Sequence, residues 1–185
     1  MRRNAKKVKI GDIIIGGEEK IAIQSMTNTP SGDYVALYEQ TKRLVNAGCD
    51  ILRVSSPDIS EAKNIYKLKC EFPNLPLVAD IHFDYKIALE CISLGIDKIR
   101  INPGNIGDED RVKQVAQAAK AANVPIRIGV NGGSLEKEIL AKYGSPTAEA
   151  LAESAMFHAG LLEKYDFDDI VLSVKSSDTI KMIKA

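Results

Sequence analysis

Tryptophan is absent from this 185-residue chain, and aromatic residues make up only 5% of it. Lysine plus arginine and aspartate plus glutamate number 25 each, so the formal net charge at pH 7 is zero. Proteins that bind nucleic acid use a broad basic surface or a platform of stacked aromatic side chains, and this composition favours neither. We therefore predict no nucleic-acid partner.

Long apolar runs are also missing. No stretch of the sequence approaches the roughly 20 apolar residues that a helix needs to span a bilayer. The basic start of the chain, 1–4, leads into further charged residues at the place where a signal peptide would have its apolar segment. The sequence predicts a cytoplasmic protein with no membrane partner.

Cysteine is scarce, with three residues in the chain. Cys49, Cys70 and Cys91 form no C-x-x-C pair and no cluster with histidine, the spacings that redox and zinc sites use. An odd number of cysteines in a cytoplasmic protein is typical of small buried apolar side chains. We predict that all three pack in the interior and that this chain holds no metal.

The feature that stands out is a repeated type of strand ending. Short apolar runs finish with polar residues two positions apart, as in 80–82 and 100–102. Residues two apart share one face of a strand, so the polar set points one way and Ile, Val and Leu point the other. Several of the polar residues are Arg or Lys, which predicts an anionic ligand. The candidate binding residues are Arg53, Asp80, His82, Arg100, Asn102, Arg127, Asn131, Ser173 and Lys175.

Helical patterns separate these runs, which indicates a parallel α/β fold. A doubly wound sheet is the competing architecture. We favour a TIM-type (β/α)8 barrel because every strand, rather than those at one switch point, ends in candidate site residues. After a hairpin over 8–18, the predicted strands are 20–25, 51–55, 77–82, 98–102, 126–131 and 170–175. The predicted helices are 34–47, 61–71, 84–95, 108–122, a short one from 134, 147–165 and one from about 177.

About six βα units are present, whereas a complete barrel has eight and typically takes about 250 residues. We therefore expect residues 1–185 to be one barrel domain that is incomplete at its C-terminal end.

Two glycine-rich loops, 102–107 and 129–134, each lead into a helix start, where backbone N–H groups attract anions. Neither loop has the glycine spacing of a nucleotide-binding motif. Asp80 and His82 share a face at one strand end. They could form a general acid/base pair, or they could supply two metal ligands.

Five stretches together resemble the N-terminal barrel of one enzyme family, the 4-hydroxy-3-methylbut-2-enyl diphosphate synthases of the methylerythritol phosphate route to isoprenoids. They are residues 24–29, 79–85, 100–107, 127–131 and 173–175. The resemblance implies a barrel that binds 2-C-methyl-D-erythritol 2,4-cyclodiphosphate. It also implies roles for the candidate residues: the diphosphate would be held by Arg53, Arg100, Arg127 and Lys175, and the remaining polar groups would be placed by Asp80, His82, Asn102 and Asn131.

The resemblance further implies an oxidoreductase that opens the ring and removes a hydroxyl group, with electrons from ferredoxin or flavodoxin. Its [4Fe–4S] cluster would sit on a separate C-terminal domain of a homodimer, on cysteines outside this chain. The 185 residues alone would then bind substrate without turning it over. Two other functions stay open: a pterin-binding or other phosphate-binding barrel enzyme with Asp80/His82 acid–base chemistry, and a non-catalytic barrel that only binds an anion.

Overall fold

The computed structural model describes residues 4–103 and 105–185. The strands are β1 (Val8–Ile10), β2 (Ile13–Ile15), β3 (Gln24–Met26), β4 (Ile51–Ser55), β5 (Leu77–Asp80), β6 (Lys98–Ile101), β7 (Ile126–Asn131) and β8 (Ile170–Lys175). The α-helices are α1 (Tyr34–Asn46), α2 (Ile59–Glu71), α3 (Tyr85–Ser93), α4 (Glu109–Ala122), α5 (Lys137–Tyr143), α6 (Ala148–Glu163) and α7 (Thr179–Lys184). A 3₁₀ turn, Gly132–Ser134, precedes α5. Over this described part of the chain, no helix is both long and apolar enough to cross a membrane.

Strands β3 to β8 form one parallel sheet in which each strand pairs with the next along the chain. A doubly wound sheet would reverse its strand order at a switch point, and this sheet does not. The sheet curls into a half-barrel with helices on its outer face. The predicted β/α-barrel fold with about six units is confirmed, and so is the antiparallel hairpin β1–β2 before it.

The two faces of the sheet divide the apolar and polar residues of each strand. Ile99 and Ile101 of β6 are completely buried in the large core between strands and helices, which also contains Ile65 of α2 and Val115 of α4. The inner face is closed at its lower end by the hairpin. There, Val8 and Ile10 form a second small core with the inward side chains at the starts of β4 and β5, Ile51 and Val78.

Polar side chains start most of the helices, as the sequence predicted. The Asp33, Asp84 and Asp108 carboxylates accept backbone N–H bonds at the starts of α1, α3 and α4, and the Thr147 hydroxyl does the same for α6. Each satisfies an N–H group that would otherwise lack a partner within its helix. These elements begin within one residue of their predicted starts.

Some predicted boundaries were wrong by a few residues. The first barrel strand covers only Gln24–Met26 rather than 20–25, and the side chains of Ile21 and Ile23 before it are exposed. Helix α2 starts earlier than predicted because Asp58 accepts the N–H of Ser60 and acts as its N-cap. Such differences are typical of element ends, which local patterns define poorly.

The cap of α4 yields a stability prediction. Replacing Asp108 with Ala removes the side-chain acceptor of the Arg111 N–H, whose nitrogen lies 3.1 Å from Oδ1, and leaves it only the Asp108 carbonyl. We expect the free energy of unfolding to fall by about 1 kcal/mol. Asp108→Asn keeps an acceptor and should restore most of that loss. Urea unfolding followed by circular dichroism measures both. The matched control is Asp110→Ala, in the same turn but outside the cap, and an equal loss there would contradict the capping role.

Candidate functional site

A row of charged side chains crosses three neighbouring strands at the inner face. In the register of the sheet, Asp80 of β5 pairs with Arg100 of β6, and Arg100 pairs with Arg127 of β7. Side chains at one level of a parallel sheet lie next to one another, so this register alone brings a carboxylate and two guanidinium groups together. Arg53 of β4 reaches the same carboxylate from the other side.

Asp80 is completely buried, and both of its carboxylate oxygens are engaged. Oδ2 accepts a bond from Arg53 Nη2 at 2.5 Å, and Oδ1 accepts one from Arg100 Nη1 at 3.3 Å. A buried carboxylate requires such partners because desolvation of an unpaired charge is costly. Since one carboxylate binds two arginines, Asp80, Arg53 and Arg100 together keep a net positive charge.

Gly129 of β7 leaves the space in which the Arg100 guanidinium lies. A Cβ atom at this position would come within 2.6 Å of Arg100 Nε and 2.7 Å of Nη2. The same Nη2 donates to the Gly129 carbonyl at 3.2 Å. Gly129 lies between Arg127 and Asn131 on the inner face. The close approach of the Arg100 guanidinium to its backbone explains why this position has no side chain.

Arg127 and Lys175 add positive charge next to this pair. Arg127 Nη2 donates to Ser173 Oγ on β8 at 2.6 Å. Burial lowers the pKa of Arg127, and the nearby Arg53 and Arg100 lower it further, whereas Asp80 acts in the opposite direction. Lys175 is exposed and makes no ion pair within 4 Å with any described residue. The positive charge therefore exceeds what the surrounding carboxylates neutralise.

These side chains surround a cavity of about 510 Å³ at the carboxyl ends of the strands, the end at which barrel enzymes bind their ligands. The structure thus brings every predicted binding residue to the cavity wall except Asp80, which is completely buried and bonded to Arg53 and Arg100. Arg53 Nε is buried and has no hydrogen-bond partner among the described residues. The lining consists of Arg53, His82, Arg100, Asn102, Asn105, Arg127, Gly129, Asn131, Ser134, Ser173, Val174 and Lys175.

Asp80 and His82 do not form the hydrogen bond that an acid/base pair would use. His82 Nε2 lies 3.7 Å from Asp80 Oδ2, and the carboxylate is already occupied by the two arginines. The imidazole is 43% exposed and faces the cavity, whereas Asp80 has no exposed surface. In this arrangement Asp80 holds the guanidinium groups, and only His82 is open to a ligand.

The loop that follows β6 supplies Asn102 and Asn105 to the cavity wall. The Asn105 N–H donates to the Asn102 carbonyl at 2.9 Å, so this backbone donor closes the loop instead of pointing at a ligand. Gly104 of the predicted anion loop lies outside the described residues. Among the described residues of this loop, the two asparagines line the cavity.

Lys98 is a further inward-facing cation that the sequence analysis did not select. It is 2% exposed, and Nζ donates to Gln24 Oε1 at 3.3 Å. Burial, together with Arg127 and Arg53, lowers the pKa of Lys98 to about 8. The signal was present in the sequence, because Lys98 precedes Arg100 by two positions and so shares its face.

The three cysteines do not form a metal centre. Cys91 is buried, and burial raises the pKa of its thiol to about 11, whereas Cys49 is partly buried and Cys70 is exposed. The packing prediction therefore fits Cys91 and was wrong for Cys70. Within residues 4–103 and 105–185, no group of three or more His, Cys, Asp or Glu side chains is placed to hold a metal ion.

Relatives of the chain are named for one activity. It is 54% identical over 185 residues to 4-hydroxy-3-methylbut-2-en-1-yl diphosphate synthase (flavodoxin) of Fusobacterium nucleatum, a match that covers 100% of this chain and 52% of that protein. The protein of the same name from Caldicellulosiruptor saccharolyticus is 56% identical over 178 residues, covering 96% of this chain and 51% of the relative. The chain therefore spans about half the length of the curated relatives it matches.

Solved structures share the fold at much lower identity. A phospho-2-dehydro-3-deoxyheptonate aldolase from Thermotoga maritima superposes with a TM-score of 0.65 at 13% identity, over 94% of this chain and 47% of the other. A dihydropteroate synthase from Thermus thermophilus gives 0.59 at 14% identity, over 91% and 64%. These likenesses show the fold alone. The family match is direct: residues 5–185 fit the GcpE TIM-barrel domain, and the chain belongs to that family.

Proposed function

We propose that this chain is the substrate-binding barrel of a 4-hydroxy-3-methylbut-2-enyl diphosphate synthase and that its cavity binds 2-C-methyl-D-erythritol 2,4-cyclodiphosphate. The observation that carries the proposal is the excess of positive charge around the cavity. Arg53 and Arg100 share one carboxylate, and Arg127 and Lys175 form no ion pair with a carboxylate of the described residues. Guanidinium groups bind phosphate oxygens in pairs, and a diphosphate offers several such oxygens. The names of the relatives support the same activity.

The reaction proposed for the whole protein is reductive ring opening with loss of a hydroxyl group, with flavodoxin as the electron donor and ferredoxin as the alternative. Relatives named for flavodoxin support the first choice. The proposed [4Fe–4S] cluster would be bound by cysteines in parts of the protein outside this chain. The three cysteines described here do not come together in a group that could hold a metal. We also propose that the whole protein is a homodimer and that the remaining βα units of its barrel are supplied by parts of the protein outside these 185 residues.

Two features weigh against the other functions. Acid–base chemistry by Asp80 and His82, as in a pterin-binding or other phosphate-binding barrel enzyme, would need a carboxylate free to act, and both Asp80 oxygens are bound. A barrel that only binds an anion would not require identity above 50% to the synthases along the whole chain. The synthase is therefore the function that the site supports best.

Titration calorimetry of the 185-residue chain with the cyclodiphosphate tests the proposal, and circular dichroism establishes first that each sample is folded. We expect saturable binding in the wild type. In Arg127→Ala or Lys175→Ala it should weaken by about 2 kcal/mol, roughly 30-fold, because each change leaves ligand charge without its partner. Lys113→Ala, on the outer helix α4, is the matched control. Unchanged affinity in both cavity variants would reject the cationic site.

Gly129 gives a second test of the same cavity. In Gly129→Ala the new methyl group displaces the Arg100 guanidinium, which loses its bond to the Gly129 carbonyl and its alignment with Asp80. We expect affinity for the cyclodiphosphate to fall roughly tenfold, in keeping with the loss of a charged hydrogen bond. Gly133→Ala is the control, because a Cβ there meets no atom within 4 Å. Equal effects at both glycines would disprove the specific role of Gly129.

Lys98 predicts how binding depends on pH. Because the pKa of Lys98 is about 8, its ammonium group loses its proton as the pH rises from 7 to 9, and attraction for the anion weakens. Affinity for the cyclodiphosphate should therefore fall across this range. In Lys98→Met the fall should be smaller, whereas Lys113→Met should behave as the wild type. Identical pH profiles for the wild type and Lys98→Met would show that Lys98 does not act on the ligand.

A further inference from the structure

A pair of polar side chains, one buried and one partly buried, lies outside the barrel interior and does not line the cavity. His158 of α6 has no exposed surface, and its Nε2 is in hydrogen-bond contact with Oε1 of Glu136, the residue that precedes α5. Ser154, one turn earlier on α6, also contributes to lowering the pKa of Glu136. The contact therefore fastens the beginning of α5 to the middle of α6.

The two groups fit together as a donor and an acceptor. Burial lowers the pKa of His158, although Glu136 acts in the opposite direction, so the imidazole is neutral near pH 7. Burial raises the pKa of Glu136, but its own backbone, Ser154 and His158 outweigh this and bring it below its usual value. A neutral imidazole that donates Nε2–H to an ionised carboxylate is the arrangement these directions describe.

The pair of Glu136 and His158 lowers stability relative to an apolar pair at the same place. His158 Nδ1 and Glu136 Oε2 are buried without a hydrogen-bond partner among the described residues. Unsatisfied polar atoms of this kind reduce stability, and two apolar side chains of similar size would avoid the loss. Unlike an apolar contact, the hydrogen bond between the two side chains is directional. It therefore restricts the orientation of the backbone at the start of α5 relative to α6.

The segment before Glu136 has little else to fix its orientation. The 3₁₀ turn Gly132–Ser134 has no side-chain cap, and α5 also starts without one. Within the turn, the Ser134 hydroxyl donates to the Asn131 carbonyl in a long hydrogen bond of 3.4 Å. Leu135 packs against the core, but an apolar contact is non-directional. Near the end of α5, Lys142 and Tyr143 donate to Glu153 of α6. At the start of α5, where the loop arrives, the directional contact with α6 is the bond between Glu136 and His158.

The same loop forms part of the cavity wall through Ser134, next to Asn131 at the end of β7. We propose that Glu136 and His158 are positioning residues for the anion site: by fastening the end of the β7–α5 loop to α6, they hold Ser134 at the ligand. The inference rests on the proposed function for the identity of the ligand. The anchoring of the loop can be tested without any ligand.

The test compares His158→Leu, which removes the N–H donor, with His158→Gln, which keeps one. Hydrogen–deuterium exchange of the amides of residues 132–136 is measured first, in ligand-free protein. We expect exchange to become at least tenfold faster in His158→Leu and to stay near the wild-type rate in His158→Gln. Met156→Leu, on the exposed side of the same helix, is the control and should change nothing.

Cyclodiphosphate titration of the same proteins follows. Affinity should fall at least tenfold in His158→Leu and return in His158→Gln, a rescue that simple loss of packing would not give. If His158→Leu does not fold, Glu136→Met removes the acceptor instead and should give the same two effects. Unchanged loop exchange overturns the inference even if the wild type binds nothing, an outcome that would separately reject the proposed function. Faster exchange with unchanged affinity overturns it as well.

Discussion

The bonds from the buried Asp80 carboxylate to Arg53 and Arg100 allow several like charges to share the mouth of one half-barrel. Guanidinium groups this close repel one another, and burial increases the repulsion because the local dielectric is low. Asp80 offsets part of it at the centre of the group. It does not offset all of it, since Arg127 lies beside the pair and Lys175 at its edge. The remaining positive charge is available to an anionic ligand.

Strand register turns this electrostatic arrangement into a fixed geometry. Parallel pairing sets Asp80, Arg100 and Arg127 at one level, and the two-residue period places Lys98 below and Asn102 above on the same face. Gly129 then decides where the Arg100 side chain lies, because any larger residue would occupy the space of its guanidinium group. The site is thus built mainly on rigid strands, which hold side chains more precisely than loops do.

The exception is the β7–α5 loop, which forms a wall of the cavity without caps of its own. Its position depends on a polar contact on the outer side of the barrel, between Glu136 and His158. The inner face of the sheet and the outer helices therefore both contribute to the site. The inner face provides the charge, and the packing of α5 against α6 provides the placement of neutral groups.

Periodicity in the sequence determined the strand and helix order and the inward set of polar residues, because each depends on neighbours within a few positions. Aspartate caps likewise marked most helix starts. Tertiary structure alone decided that Asp80 is buried and does not line the cavity, that Lys98 is buried with a lowered pKa, and that His158 meets Glu136 across 22 residues. The physical reason is that burial and pairing depend on side chains from different strands and helices, and local patterns carry no record of those distances.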